Sequence, residues 1–173
     1  MQIYLRPISE NDGPNIVRWR NNPDVLGHCL DKTHITEESN LAFYKANVET
    51  GKYKQFIVEC LETYSGVCTY PIATVYLKDM DYGNKRCELC IFTSSDVEWT
   101  PEGQVIAIEM LIEKAFKEYG MHKVYSYVFK KYPQEVELLM KAGFEIESTL
   151  YGEARNDEGE YEDLLRLFIM NKE

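Results

Sequence analysis

The chain has 173 residues, 45% of them hydrophobic and 28% charged, with a formal net charge of -10. That length suits one domain spanning residues 1–173 with a sizeable core, and the composition excludes a disordered chain. No apolar run approaches the roughly 20 residues of a membrane helix. The acidic balance argues against nucleic acid, whose phosphate backbone attracts clustered Lys and Arg, and it favours cationic or amine-bearing partners.

Met1 to Pro7 has no signal-peptide pattern and reads as a first strand, Ile3–Pro7, which places the chain in the cytoplasm. The turn Glu10–Pro14 leads into a helix carrying Ile16, Val17 and Trp19, with Asn22-Pro23 as its end. Thr36 to Val48 reads as a second helix: Thr36 is the N-cap, Glu37 and Glu38 suit the positive end of the dipole, and Leu41, Tyr44 and Val48 form its stripe. The period then changes. Tyr53–Leu61, Tyr70–Leu77 and Lys85–Ser94 are strand-like runs, separated by turns at Tyr64-Ser65-Gly66 and Asp79–Asn84.

In Trp99 to Gly120 a loop, Trp99–Gln104, opens into a long amphipathic helix with Ile108, Leu111, Ile112, Ala115 and Tyr119 on one face and Gly120 as its stop. A strand, Lys123–Phe129, follows it, so strand, loop, helix and strand make a crossover unit. Pro133–Ala142 is a shorter helix expected to turn Val136, Leu139 and Met140 inward. Phe144–Tyr151 and Glu162–Met170 close the chain as a strand pair. The order implies an α/β (α+β) fold, with one mixed, mostly antiparallel sheet flanked by helices.

The five cysteines, Cys29, Cys60, Cys68, Cys87 and Cys90, are odd in number and read as reduced thiols. Cys87 and Cys90 are three apart on a strand and so point to opposite faces, which suits packing rather than a metal site; no metal ligand set is expected.

Several phrases in this order resemble the GNAT superfamily of N-acetyltransferases, in particular its ribosomal-protein-alanine and amino-sugar branches. They are Leu5-Arg6-Pro7, Val17-Arg18-Trp19-Arg20-Asn21-Asn22-Pro23-Asp24-Val25, Ala115 to Val124, Lys141-Ala142-Gly143-Phe144-Glu145 and the tail Arg155 to Asp163. The resemblance implies a sheet of about seven strands with about four helices. It also implies acetyl-CoA as co-substrate and direct transfer of an acetyl group to a primary amine. In such a site the pyrophosphate meets backbone N–H groups at a helix N-terminus, here Gly103, Gln104, Val105, Ile106 and Ala107. The pantetheine arm pairs with the end of the preceding strand, here Ile91, Phe92 and Thr93. Backbone N–H groups near Phe92 and Thr93 would steady the oxyanion.

Glu88 is the expected general base, with an outward, solvated glutamate as the plain alternative. Tyr132 or Tyr127 would protonate the thiolate, because Leu139 stands where many members carry a tyrosine. Arg20, Asn21 and His28 fall where acceptor pockets form, although packing or solvent contact explains His28 and His34 equally. The acidic tail from Glu153 to Asp163 reads as a solvated face or as an attractor of a cationic acceptor.

The chain departs from the family at the phosphate loop, where Trp99, Glu102 and Gln104 take the three marked positions. There Thr100-Pro101-Glu102 is a helix start in its own right. A GNAT-fold interaction module without catalysis is therefore the competing reading. The acceptor stays open between an amino sugar, a peptide N-terminus, a polyamine and another small amine, as does a homodimer.

Overall fold

The computed structural model describes residues 2–64 and 66–173, with the side chains of Phe92 and Thr93 outside the description. Ser65, in the expected turn after Tyr64, lies outside the described residues. Seven strands, β1 (Ile3–Pro7), β2 (Lys54–Glu62), β3 (Cys68–Asp81), β4 (Arg86–Thr93), β5 (Lys123–Phe129), β6 (Glu145–Arg155) and β7 (Tyr161–Met170), form one sheet in the order β1-β2-β3-β4-β5-β7-β6. Among the described residues five α-helices accompany them: α1 (Gly13–Arg20), α2 (Pro23–Leu26), α3 (Glu37–Phe43), α4 (Pro101–Glu113) and α5 (Pro133–Lys141). π-helical turns extend α3 over Tyr44–Val48 and α4 over Lys114–Glu118.

The two-residue period of the strands assigns each face a role. On β2, Phe56 and Val58 join the main core, whereas Ile57 packs with Ile8, Ile16 and Trp19 on the other side. On β4, Cys87, Leu89 and Ile91 are fully buried in the main core beside Ile108 and Leu111 of α4. Glu88 and Cys90 therefore face away from α4, towards the side that α1 and α3 cover. The expected opposition of Cys87 and Cys90 is seen here, and burial pushes the Cys87 thiol up to about 12.

Every neighbouring pair of strands is antiparallel except β4 and β5. That parallel pairing covers Arg86–Lys123, Cys87–Val124 and Glu88–Tyr125, then ends while both strands continue. The Ser126 hydroxyl donates to the Leu89 carbonyl across the start of the gap, at 2.8 Å. On its other edge β4 shifts register against β3 between the Tyr76–Cys90 and Thr74–Thr93 pairs, where three residues of β4 advance against two of β3. Such an extra residue interrupts the ladder and turns backbone groups out of it.

Local differences from the sequence expectation have simple causes. Asn22 does not end the helical run: its side chain accepts from the Asp24 N–H, and Pro23 at the first helical position starts the extra one-turn α2. β3 runs on through Asp79, at φ 50°, to Asp81, so only the second half of the expected turn is a turn. Of the expected buried or half-buried stripe, Tyr44 and Val48 pack half-buried against the cluster of Ile16, Trp19 and Ile57, while Leu41 is 37% exposed. Met140 is 51% exposed and Leu138 takes the inward place beside Leu139 and Val136.

Candidate active site

Two cavities meet on the open side of the β4–β5 splay. The first, about 510 Å³, lies under α1 and the segment between α2 and α3. Its floor is the sheet face opposite α4, supplied by Tyr76 and Lys78 of β3, Glu88 and Cys90 of β4 and Tyr127 of β5. The second, about 480 Å³, lies between the N-terminal turns of α4 and α5, with Ser94, Trp99, Pro101 and Gln104 on one side and Gln134, Glu135 and Leu138 on the other. His28 lines both.

Glu88 is 6% exposed, which sets aside the solvated alternative, yet it does stand opposite a lysine. Hairpin register places Lys78 across from it, with Nζ 3.7 Å from Oε2, and the Cys90 thiol donates to Oε1 at 3.6 Å. Burial pushes the Glu88 carboxyl above the ordinary glutamate range, and Lys78 draws it part of the way back. Raised basicity in a cavity floor makes this carboxylate a candidate general base.

Arg20 lines the first cavity and donates through Nη2 to the Asp31 carbonyl. Asn21 lines neither cavity; its side chain clamps the segment between α2 and α3 by donating to the Ile35 carbonyl at 2.7 Å and accepting from the Ile35 N–H at 2.8 Å. His28 is held by the 5% exposed Glu135 through Nδ1 and stacks on Tyr132, ring centroids 3.9 Å apart. Tyr132 lines neither cavity, and its hydroxyl donates to the Gly27 carbonyl at 3.3 Å. Tyr127 does reach the first cavity, with its hydroxyl accepting from Arg166 Nη1 at 2.7 Å.

At α4 the Thr100 hydroxyl accepts from the Gly103 N–H at 3.2 Å and the Thr100 carbonyl from the Gln104 N–H at 2.9 Å. The Gln104 side chain donates to the Trp99 carbonyl and faces the second cavity. Val105 and Ile106 are half-buried against the main core and Ala107 is fully buried in it. The arrangement fits the parts of acetyl-CoA that read backbone: a strand end parted from its neighbour, and a cavity leading from it past two helix N-termini.

A family model for the acetyltransferase (GNAT) domain matches residues 2–145. The chain belongs to the GNAT acetyltransferase family. Membership makes it an acetyl-CoA-dependent enzyme that moves an acetyl group to an amine. Among solved structures, a spermidine N-acetyltransferase from Vibrio cholerae in complex with CoA and spermine is similar, at 22% identity, TM-score 0.86, 98% of this chain and 95% of that one. A chimera of the Vibrio cholerae enzyme with hSSAT matches at 22% identity and TM-score 0.82, over 98% of this chain and 96% of the other. A mutant form of the spermidine/spermine N-acetyltransferase SpeG from Vibrio cholerae gives 22%, 0.77, 98% and 95% for the same measures. At this identity the likeness carries the fold. A search of curated proteins gave no match.

The sequence reading named Glu88 and His28 without their partners. Lys78, Tyr76 and Cys90 carried a usable signal, because residues 74, 76 and 78 alternate with the buried Ala73, Val75 and Leu77 and so must share the face of Glu88. The pairing of His28 with Glu135 joins α5 to the segment after α2, and no local pattern announces it.

Proposed function

We propose that this GNAT-family enzyme acetylates a primary amine of a small molecule held in the 510 Å³ cavity, with Glu88 as the general base. The observation that carries this reading is the buried Glu88 carboxylate in that cavity's floor, beside the point where β4 and β5 part. The volume lies in the range of small-molecule sites, and the walls mix aromatic and aliphatic side chains such as Phe43, Tyr53, Tyr76 and Tyr127 with polar ones such as Asn40, Gln55 and Ser126. The spermine held by the Vibrio cholerae relative supports an acceptor of the alkyl-amine kind. The charged side chains in the lining, Arg20 and Lys78 against Asp31 and Glu88, balance one another. That balance favours an amine of low total charge over a long polycation.

Acetyl-CoA supplies an activated thioester. The chain's own groups do the rest. The acceptor reaches the cavity as an ammonium ion, and Glu88 takes one proton from it, so that a free amine faces the splay. Backbone groups of Ile91, Phe92 and Thr93, released from the regular ladder by the register shift, are positioned to steady developing negative charge. The first turn of α4, which starts at Pro101, receives the diphosphate near the Gly103 N–H at the positive end of its dipole; Gln104 to Ala107 lie inside the helix, where the Gln104 N–H is already bonded to the Thr100 carbonyl and Ala107 is buried.

The test is thiol release from acetyl-CoA with a panel of small primary amines, amino sugars and an N-terminal peptide. Release with small amines and its loss in Glu88→Gln support the proposal. Equal activity of Glu88→Gln and the unaltered enzyme removes Glu88 from the mechanism, and activity confined to the peptide overturns the small-molecule acceptor.

A further inference from the structure

Glu88 accounts for one of the two protons that must leave the acceptor nitrogen when an ammonium ion becomes an amide. The second proton, and the proton that the departing sulfur needs, have no carrier in the mechanism so far. On α5, Leu139 is fully buried in apolar surroundings and has nothing to donate. One turn earlier on the same helix face stands Glu135, buried to 5% exposure and joined to His28 Nδ1.

Three features set His28 apart. Among the described side chains it is the one that lines both the acceptor cavity and the cavity between α4 and α5, so its ring stands between the two. Its Nδ1 is committed to a buried carboxylate, which places a proton on Nδ1 and assigns Nε2 to proton exchange. Its plane is set from the other side by stacking on Tyr132, whose hydroxyl is tied to the Gly27 carbonyl next to His28 in the chain. A ring fixed in tautomer and plane between two reactant cavities is equipped to take a proton on one side and return it on the other.

We infer that His28 is a proton shuttle between the acceptor nitrogen and the departing sulfur, with Glu135 as its positioning residue. The inference rests on the transferase reading above. Glu88 takes the first proton from the ammonium and passes it to solvent. As the nitrogen lone pair forms the bond to the acyl carbon, His28 Nε2 takes the second proton and becomes imidazolium, its charge balanced by Glu135. As the carbon–sulfur bond breaks and its electron pair stays on sulfur, the same Nε2 proton goes to sulfur. His28 ends neutral, and the overall change is amide, free thiol and one proton released.

Two measurements test it. Activity is compared for the unaltered enzyme and His28→Gln with two donors, acetyl-CoA and the acetyl thioester of a nitrothiophenol, whose acidic thiol departs without a proton. The expected result is a loss of about 10²-fold with acetyl-CoA and one at least tenfold smaller with the aryl thioester. Equal losses with both donors, or none, overturn the shuttle. The second measurement needs no substrate: nitrogen-15 NMR of the imidazoles, with the His28 signals assigned by their absence in His28→Gln. Neutral His28 is expected as the Nδ1–H tautomer, shifting towards Nε2–H in Glu135→Gln. An Nε2–H tautomer in the unaltered protein, or no change in Glu135→Gln, overturns the positioning role. If the unaltered enzyme acetylates no amine, the transferase reading falls and this inference with it; if it does and His28→Gln matches it, the shuttle alone falls.

Discussion

Glu88 has its charge set by two opposed neighbours, the apolar surroundings that disfavour its ionised form and the Lys78 ammonium that favours it. Because burial prevails, the folded carboxyl titrates above the ordinary glutamate value of 4.5. The basic form is therefore lost at a higher pH than in an exposed glutamate, and kcat/KM should fall as pH drops through that raised value. Lys78→Met takes away the group that pulls the value down, so the acid limb of the profile should move to higher pH; a limb that stays in place would show that the lysine does not act on the base. Glu88→Gln should lower kcat by about 10²- to 10⁴-fold, read by thiol release at saturating amine. The candidate base was legible in the sequence because the family resemblance marks its position. Its burial and its pairing with Lys78 were not: alternation along β3 offers Lys78 a place on that face, but only the hairpin register sets it across from Glu88.

Two helix-entry motifs carry contrasting predictions at the level of elements. Before α1, Arg6 of β1 donates two bonds to Asp12, at 2.8 and 2.9 Å, and one to Glu59 of β2, at 2.8 Å. Both carboxylates have side chains only 7% exposed, so Arg6→Met would leave two buried acids without a counter-charge. We expect a cost of about 2–4 kcal/mol, seen as a lower denaturant midpoint with an unchanged slope. Burial alone would push the Asp12 carboxyl up, but Arg6 and the Ser9 amide outweigh it and hold the group below its ordinary 3.8. Stability from this group is thus present above 3.8 and is lost as pH falls through the lower, folded value; in Arg6→Met that acid-side loss should shrink. At α4 the sign of the charge matters for binding instead. Glu102 lies in the first turn, where an anion gains about 0.3–1 kcal/mol from the dipole and where the diphosphate of CoA is proposed to sit. Glu102→Gln should tighten CoA about two- to fivefold by calorimetry. An affinity that does not change would place the diphosphate away from α4.

On the scale of the whole molecule, the net charge of -10 acts in opposite senses on the two reactants. It attracts a cationic amine and repels anionic CoA, and both effects are screened as salt shortens the Debye length from about 10 Å at 0.1 M to about 3 Å at 1 M. Raising ionic strength should therefore lower kcat/KM for an ammonium acceptor while leaving or lowering the KM for acetyl-CoA. If kcat/KM for the amine does not fall, or the KM for acetyl-CoA rises, the field of the whole protein is not what steers them. The sheet has two unlike faces: its α4 face packs into the main apolar core, and its opposite face opens into the 510 Å³ cavity beneath α1 and α3.

The sequence by itself determined the strand and helix order apart from the one-turn α2, the caps at Thr36 and Thr100 and the inward face of α4, because these follow from periodicity and short-range hydrogen bonding, and its phrases marked the family. It also marked Glu88. Only the tertiary structure decided that β4 and β5 part after three residue pairs, that Lys78 lies across from Glu88, and that Glu135 meets His28 between two cavities. Those contacts join residues 10, 37 and 107 positions apart, and at such separations the outcome is set by sheet register and helix docking, to which the local pattern of a single chain is blind.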